Sequence, residues 1–326
     1  MYLEHWGLSQ PPFRITPDTS QFFSGALRGS ILQAVEYAIL NGEGIVKVVG
    51  EVGTGKTMLC RLLEERLSDS LEIVYLGNPS LSPTDILYAI AMEMGLGLPP
   101  DATHLQLIQL LHQALLKRHA KGHQVVVFIE EAQGMPIETL EEIRLLSNLE
   151  TSRHKLLQLV LFGQPELDQN LLRPEIRQLK ERITQNFHLP PFGRKDVAAY
   201  LHFRMKNVGY RGPEVFNAAA VKAITGSSRG LVRRVSILAD KSLLAAFSGG
   251  SHLVKARHVR AAIADSEFSH CVSVPRTGGY LRPLLLTLGL IVVLFATAWL
   301  VSSDATPLLN LLSSEAIAAE AEPGSD

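Results

Sequence analysis

The segment Gly50-Glu51-Val52-Gly53-Thr54-Gly55-Lys56-Thr57 constrains the fold of this chain more than any other stretch. It follows the apolar, β-branched run Ile45 to Val49 and precedes a helical segment, so it occupies a strand-to-helix turn. In the pattern G-x-x-x-x-G-K-T, glycines let backbone N–H groups turn inward around phosphate oxygens without a Cβ clash. Lys56 then reaches the terminal phosphates and Thr57 offers its hydroxyl to a magnesium ion. The expected ligand is ATP with Mg2+, cradled by residues 50–57.

Short β-branched runs alternate with helix-like spacing beyond this turn. Further strands are expected at 73–76, 125–129, 157–162 and 186–189, with helices at 84–94, 105–119 and 138–149 between them. Strands separated by helices imply an α/β fold of the P-loop NTPase kind, a parallel sheet covered by helices on both faces. After Gly193 only helical patterns follow, at about 195–207, 214–225, 231–247 and 255–266, which implies a C-terminal helical subdomain. The expected organisation is an α/β domain over 1–192, a helical lid over 193–268 and a Pro/Gly-containing linker over 269–282. A transmembrane helix over 283–303 and a short disordered tail over 304–326 complete it.

Two adjacent acids, Glu130 and Glu131, end the third apolar run. A phosphate-cleaving site needs one carboxylate there to hold magnesium through water, and commonly a second to orient the attacking water. These needs assign Thr57 and Glu130 to the metal and Glu131 to the water. Gln164 closes the fourth run, where it either reaches the γ-phosphate region or caps the next helix; the sequence leaves both open. Arg177 and Arg182 lie on a helix-like segment before the fifth run, and Arg233 and Arg234 start a later helix. Arginine stabilises developing phosphoryl charge, though most arginines on helices are simply solvated. Lys255, Arg257, His258 and Arg260 read as a solvated basic helix face.

The 31 Lys+Arg nearly cancel the 32 Asp+Glu, so no global field argues for nucleic acid or an anionic membrane. Cys60 and Cys271 have no metal-ligand spacing and cannot form a disulfide framework, which suits a reduced compartment. None of the 11 histidines is spaced as a metal ligand. The N-terminus lacks the basic-then-apolar pattern of a signal peptide. From Pro283 to Ser303 no residue is charged, a length that crosses roughly 30 Å of hydrocarbon as a helix. Arg276 and Arg282 precede this run and no Lys or Arg follows it, which places the bulk of the chain in the cytoplasm.

Taken together, Tyr2-Leu3 with Phe13, GEVGTGKT, EEAQ, FGQPEL, RQLKERI and GLVRRVS resemble the ExeA/GspA-type AAA ATPases over about residues 1 to 268. Within that group the chain is most similar to MshM-type members, associated with the MSHA type IV pilus. The resemblance implies that Lys56 and Thr57 form Walker A, Glu130 and Glu131 Walker B, and Gln164 sensor 1. It puts Arg233 at sensor 2 and makes Arg182 the arginine-finger candidate. Two positions depart from the family pattern. Glu130 replaces the usual aspartate, which puts metal geometry and turnover rate in question, and Val232 replaces the proline of G-x-P-R. GspA-type members carry a peptidoglycan-binding part beyond their span, and none is expected here.

The function expected on this basis is that of an ATPase anchored by one C-terminal helix in a bacterial inner membrane. It would form a homo-oligomer and work with pilus or secretion assembly proteins, with nucleic acid not expected as a partner. The alternatives are a nucleotide-dependent switch with little hydrolysis, or a transposition-helper-type ATPase acting with DNA.

Overall fold

The computed structural model describes residues 2–266 apart from Glu43, Ser70, Pro100 and Asp101, and beyond them only Thr297 and Ala298. The expected linker, membrane span and tail lie outside the described residues, apart from that helical pair. Among the described residues no helix is long and apolar enough to cross a membrane.

The chain opens with α1 (Tyr2–Trp6) and α2 (Arg28–Leu40), then enters β1 (Ile45–Val49) and α3 (Lys56–Leu67). β2 (Leu71–Leu76) is followed by α4 (Pro83–Glu93) and α5 (His104–Ala120), and β3 (Gln124–Ile129) by α6 (Ile137–Leu146). β4 (Leu157–Gly163) leads to α7 (Pro165–Asn170) and α8 (Arg177–Arg182), and β5 (Ile183–His188) closes the sheet. All strand pairs are parallel, in the order β2-β3-β4-β1-β5. This is the helix-covered parallel sheet that alternating strands and helices imply.

β1 sits inside the sheet, and its side chains alternate between two cores. Ile45 and Val49 join the apolar cluster under α4 to α8, while Val46 and Val48 join the one under α2 and α3. Burial on both faces explains why the strand is apolar throughout except at Lys47. Lys47 is itself buried and forms an ion pair with Asp168 of α7. β5 starts at Ile183, earlier than the sequence pattern suggests. As an edge strand with exposed Thr184, Gln185 and Asn186, it carries no apolar run to announce itself.

The lid is built from α9 (Arg194–Asn207), α10 (Ala218–Ser228), α11 (Val232–Ser248) and α12 (Ala256–Ala264). α10 begins later than the expected 214, because Val215 and Phe216 go into the lid core and Phe216 forms a bridge with Val254. The Asn217 side chain then caps the helix, accepting from the Ala220 N–H at 2.8 Å. Trp6, Leu8 and Phe13 are buried in the same core as the lid helices, so the N-terminal segment packs with elements some 200 residues downstream. On α12, His258 is buried and its ring accepts from the Lys255 N–H at 3.2 Å, whereas a solvated basic face had been expected. The helix turns this one member of its basic cluster inward to cap its own first turn.

Candidate active site

β1 delivers the chain into the glycine turn at the C-terminal edge of the sheet. Gly55 has φ of +103°, a conformation open to glycine and costly to other residues, and it starts α3 directly. Inside the turn Thr54 Oγ1 donates to the Glu51 carbonyl at 2.8 Å. Lys56 Nζ donates to the Gly50 carbonyl at 2.8 Å and the Glu51 carbonyl at 3.3 Å, so the ammonium is held over the cradle. Burial pushes the Lys56 pKa down, against the opposing pull of Glu131, Glu130, Glu51 and Glu166.

The acid pair stands across from α3. The Glu130 N–H donates to the Leu76 carbonyl at 2.9 Å, extending the β2–β3 ladder into the site. Its buried carboxylate accepts at Oε2 from the Tyr75 hydroxyl at 3.0 Å and from Thr57 Oγ1 at 3.4 Å. Oε1 is buried and has no hydrogen-bond partner among the described residues. A carboxylate whose Oε2 lies beside a threonine hydroxyl and whose Oε1 has no hydrogen-bond partner is a set of hard oxygen donors that suits Mg2+ held partly through water.

Glu131 has φ of +52°, a left-handed conformation that is strained for a residue with a side chain and that clusters at functional positions. It turns the second carboxylate back over the sheet edge, where Gln133 Nε2 donates to it at 2.6 Å and Gln164 Nε2 at 2.9 Å. Burial alone would raise the Glu131 pKa, but these two hydrogen bonds and the Lys56 charge together hold it below the usual carboxylate range. Of the two roles open to Gln164, helix capping is not the one adopted: its side chain makes no capping bond to α7. Its backbone N–H donates to Gln133 Oε1 at 2.9 Å, closing a three-residue network.

The arginines separate. The Arg233 N–H donates to the Gly53 carbonyl at 3.1 Å, so the first turn of α11 seats on the glycine turn and Arg233 is brought to the site. The helix forms from Val232 without the family proline, its free N–H capped by the loop it covers. Arg182 lies just before Ile183, which pairs with Ile45 at the opposite edge of the sheet. The length of β1 therefore separates it from its own chain's glycine turn, about 15 Å at strand rise. Arg177 pairs with Glu181 at 3.3 Å on the exposed face of α8.

Two contributors were not foreseen from the sequence. Tyr75 looks like an ordinary strand residue until the sheet register sets it beside Glu130. Arg28 is buried, and its Nη2 donates to the Thr54 carbonyl at 3.0 Å and the Pro190 carbonyl at 3.2 Å. Its guanidinium lies 3.8 Å from the Phe192 ring centroid, and burial lowers its pKa to about 10. It thus joins the glycine turn to the connection between β5 and the lid. The only sequence signal was an arginine placed at the start of an amphipathic stretch.

Residues 39–171, which contain the glycine turn, the acid pair and Gln164, match the family model described as an AAA domain. An AAA-type P-loop domain is present in this chain. The chain is 42% identical over 254 residues to General secretion pathway protein A of Aeromonas hydrophila, a match covering 78% of this chain and 46% of that protein. It is also 27% identical over 147 residues to the Mu-like prophage FluMu DNA transposition protein B of Haemophilus influenzae, covering 44% of this chain and 47% of that protein. The chain thus spans under half the length of either relative. Among solved structures the fold is shared with Cdc6p of Pyrobaculum aerophilum, with TM-score 0.58 and 19% identity over 76% of this chain and 71% of that one. It is shared too with the RuvB branch migration motor of Thermotoga maritima, with TM-score 0.53 and 17% identity over 85% and 86% of the two chains. At these identities the likeness concerns the fold alone.

Proposed function

We propose that this ATPase binds and hydrolyses ATP with Mg2+ to support assembly of an envelope machine, a type II secretion apparatus or an MSHA-like type IV pilus served by MshM-type proteins. The observation that carries the chemical half is that Lys56, Thr57, Glu130, Glu131 and Gln164 converge on one sheet edge in mutually compatible hydrogen bonds. Backbone N–H groups of the glycine turn receive the phosphates, and Lys56 exchanges its carbonyl partners for phosphate oxygens. Thr57 and Glu130 would hold the metal, which when bound neutralises charge on the phosphate oxygens. Glu131, kept ionised, accepts a hydrogen bond from the attacking water, and Gln164 fixes the carboxylate in that pose. The cleft beside Gly55 lined by Phe22, Met58, Phe192 and Val232 offers an apolar seat for the base. Arg233 covers the site from the lid, and Arg182 serves a neighbouring copy in a homo-oligomer.

Support for the cellular half comes from the relative named for general secretion and from the uncharged run 283–303, which suits a single inner-membrane anchor with the ATPase in the cytoplasm. The test is ATP turnover by the full-length chain in detergent across protein concentrations, beside Lys56→Ala. Turnover per chain should rise with concentration and vanish in the variant. Recovery of the full chain as a soluble protein without detergent, or turnover indifferent to concentration, would overturn the anchored, shared-site reading.

A second reading, ATP-dependent work on DNA, draws on the similarity to a DNA transposition protein. It requires DNA affinity that falls steeply with salt, and the near-zero net charge argues against it.

A further inference from the structure

Glu130 stands where a shorter acid is usual, and the structure shows what accommodates its extra methylene. Register pairs Tyr75 with Phe128 and Leu76 with Ile129, so Tyr75 lies two positions short of Glu130 on the neighbouring strand and shares its face of the sheet. Its hydroxyl donates to Glu130 Oε2 at 3.0 Å. The ring has a place to lie because residue 77 is glycine: a Cβ there would stand 3.2 Å from Tyr75 Cε1. Oε2 therefore has two hydroxyl neighbours, the phenol and Thr57 Oγ1, and Oε1 has none. A longer carboxylate has one more rotatable bond and more poses than an aspartate, and only some of them present an oxygen to the metal.

We propose that Tyr75 is a positioning residue for the metal site, gripping Oε2 of Glu130 and so holding the carboxylate beside Thr57 Oγ1 in the pose that meets magnesium. The phenol and the glutamate form a matched pair: the donor lies where a glutamate reaches and an aspartate, one methylene shorter, does not. Burial, the Glu130 charge and the hydrogen bond itself all raise the Tyr75 pKa, so the phenol remains a donor across the physiological range.

The proposal rests on the assignment of Glu130 to the metal, and the two can fail separately. The readout is the factor by which Mg2+ tightens binding of a fluorescent ATP analogue to the full-length chain, measured with Mg2+ and with EDTA. Thermal melts of each apo variant check folding. Tyr75→Phe should keep the metal-free affinity and reduce the magnesium factor about tenfold, the scale of one hydrogen bond to a charged group. Glu130→Asp should leave little for Tyr75→Phe to remove, so the double variant should match Glu130→Asp alone. An unchanged magnesium factor in Tyr75→Phe, or an equal loss from it in the aspartate background, overturns the positioning role. If Glu130→Gln keeps the full magnesium factor, the metal assignment itself falls.

Discussion

The Gln164 side-chain amide donates to the Glu131 carboxylate across 2.9 Å, linking the tips of two adjacent strands. With Gln133 and Lys56 it keeps that acid ionised below the usual carboxylate range, although burial pulls the other way. The form that accepts from water is the carboxylate, so activity lost on acidification follows the Glu131 pKa. Gln164→Leu removes a bond that lowers the pKa and leaves the burial that raises it. The acid limb of the turnover profile should therefore move to higher pH, and an unmoved limb would mean that another group sets it. A depressed carboxyl also contributes stability above its unfolded pKa that is lost as pH falls through the folded value. The variant should accordingly gain less stability than the native chain on going from acid to neutral pH.

How much of this site could be read from the chain alone depended on the span of each interaction. The glycine turn, the acid pair and Gln164 were legible because each acts from the tip of a strand whose apolar run marks it. Tyr75 and Arg28 were not, since their partners lie 55 residues away in one case and 26 and 162 in the other. The same reason hides the association of Trp6 and Phe13 with the lid core. β5 was shortened in the expectation because its exposed, polar face carries no periodic signal. For Arg233 the sequence showed an arginine at a helix start, but only the fold shows that its N–H is capped by Gly53.

Arg28 bonds to carbonyls of the glycine turn and of the connection from β5 to the lid, at Thr54 and Pro190, and stacks on Phe192. Replacement by alanine strands those carbonyls in a buried place, at a cost of about 3 kcal/mol. For a body of this size that corresponds to a fall in Tm of roughly 6 °C. Lysine should restore only part of it, because one ammonium cannot reproduce the planar fork. Calorimetry on the three proteins checks the order native, Arg28→Lys, Arg28→Ala; an alanine variant that melts with the native chain would mean that these bonds do not hold the glycine turn to the lid connection.

Gly230 has φ of +73° and lies so close to the connection from β5 to the lid that an added Cβ would meet the Phe192 carbonyl oxygen at 2.1 Å. Gly226, one turn earlier in α10, has open space around it and no such backbone constraint. Alanine at 230 should destabilise by more than about 3 kcal/mol, through backbone strain and steric conflict with a main-chain atom. Alanine at 226 should stabilise by about 0.5–1 kcal/mol through helix propensity. Urea midpoints read both at once. Equal midpoints for the two variants would mean that the lid relaxes away from Phe192 at little cost.

Arg182 can serve catalysis only from a neighbouring chain, because the full length of β1 separates it from its own glycine turn. It is exposed, so Arg182→Ala should leave stability within about 0.5 kcal/mol of the native value. Nucleotide affinity should likewise be preserved, since no contact to the cradle is lost. Turnover should fall about 10³-fold, the lower range for a finger supplied in trans. Mixing separates this from a defect within the chain. Arg182→Ala keeps a complete nucleotide site and lacks the finger, whereas Lys56→Ala keeps the finger and lacks a working cradle. Each is inactive alone, but where they adjoin, the cradle of the first meets the arginine of the second. Turnover recovered in the mixture places Arg182 in a shared site; a mixture as inactive as its parts would confine the effect of Arg182 to its own chain.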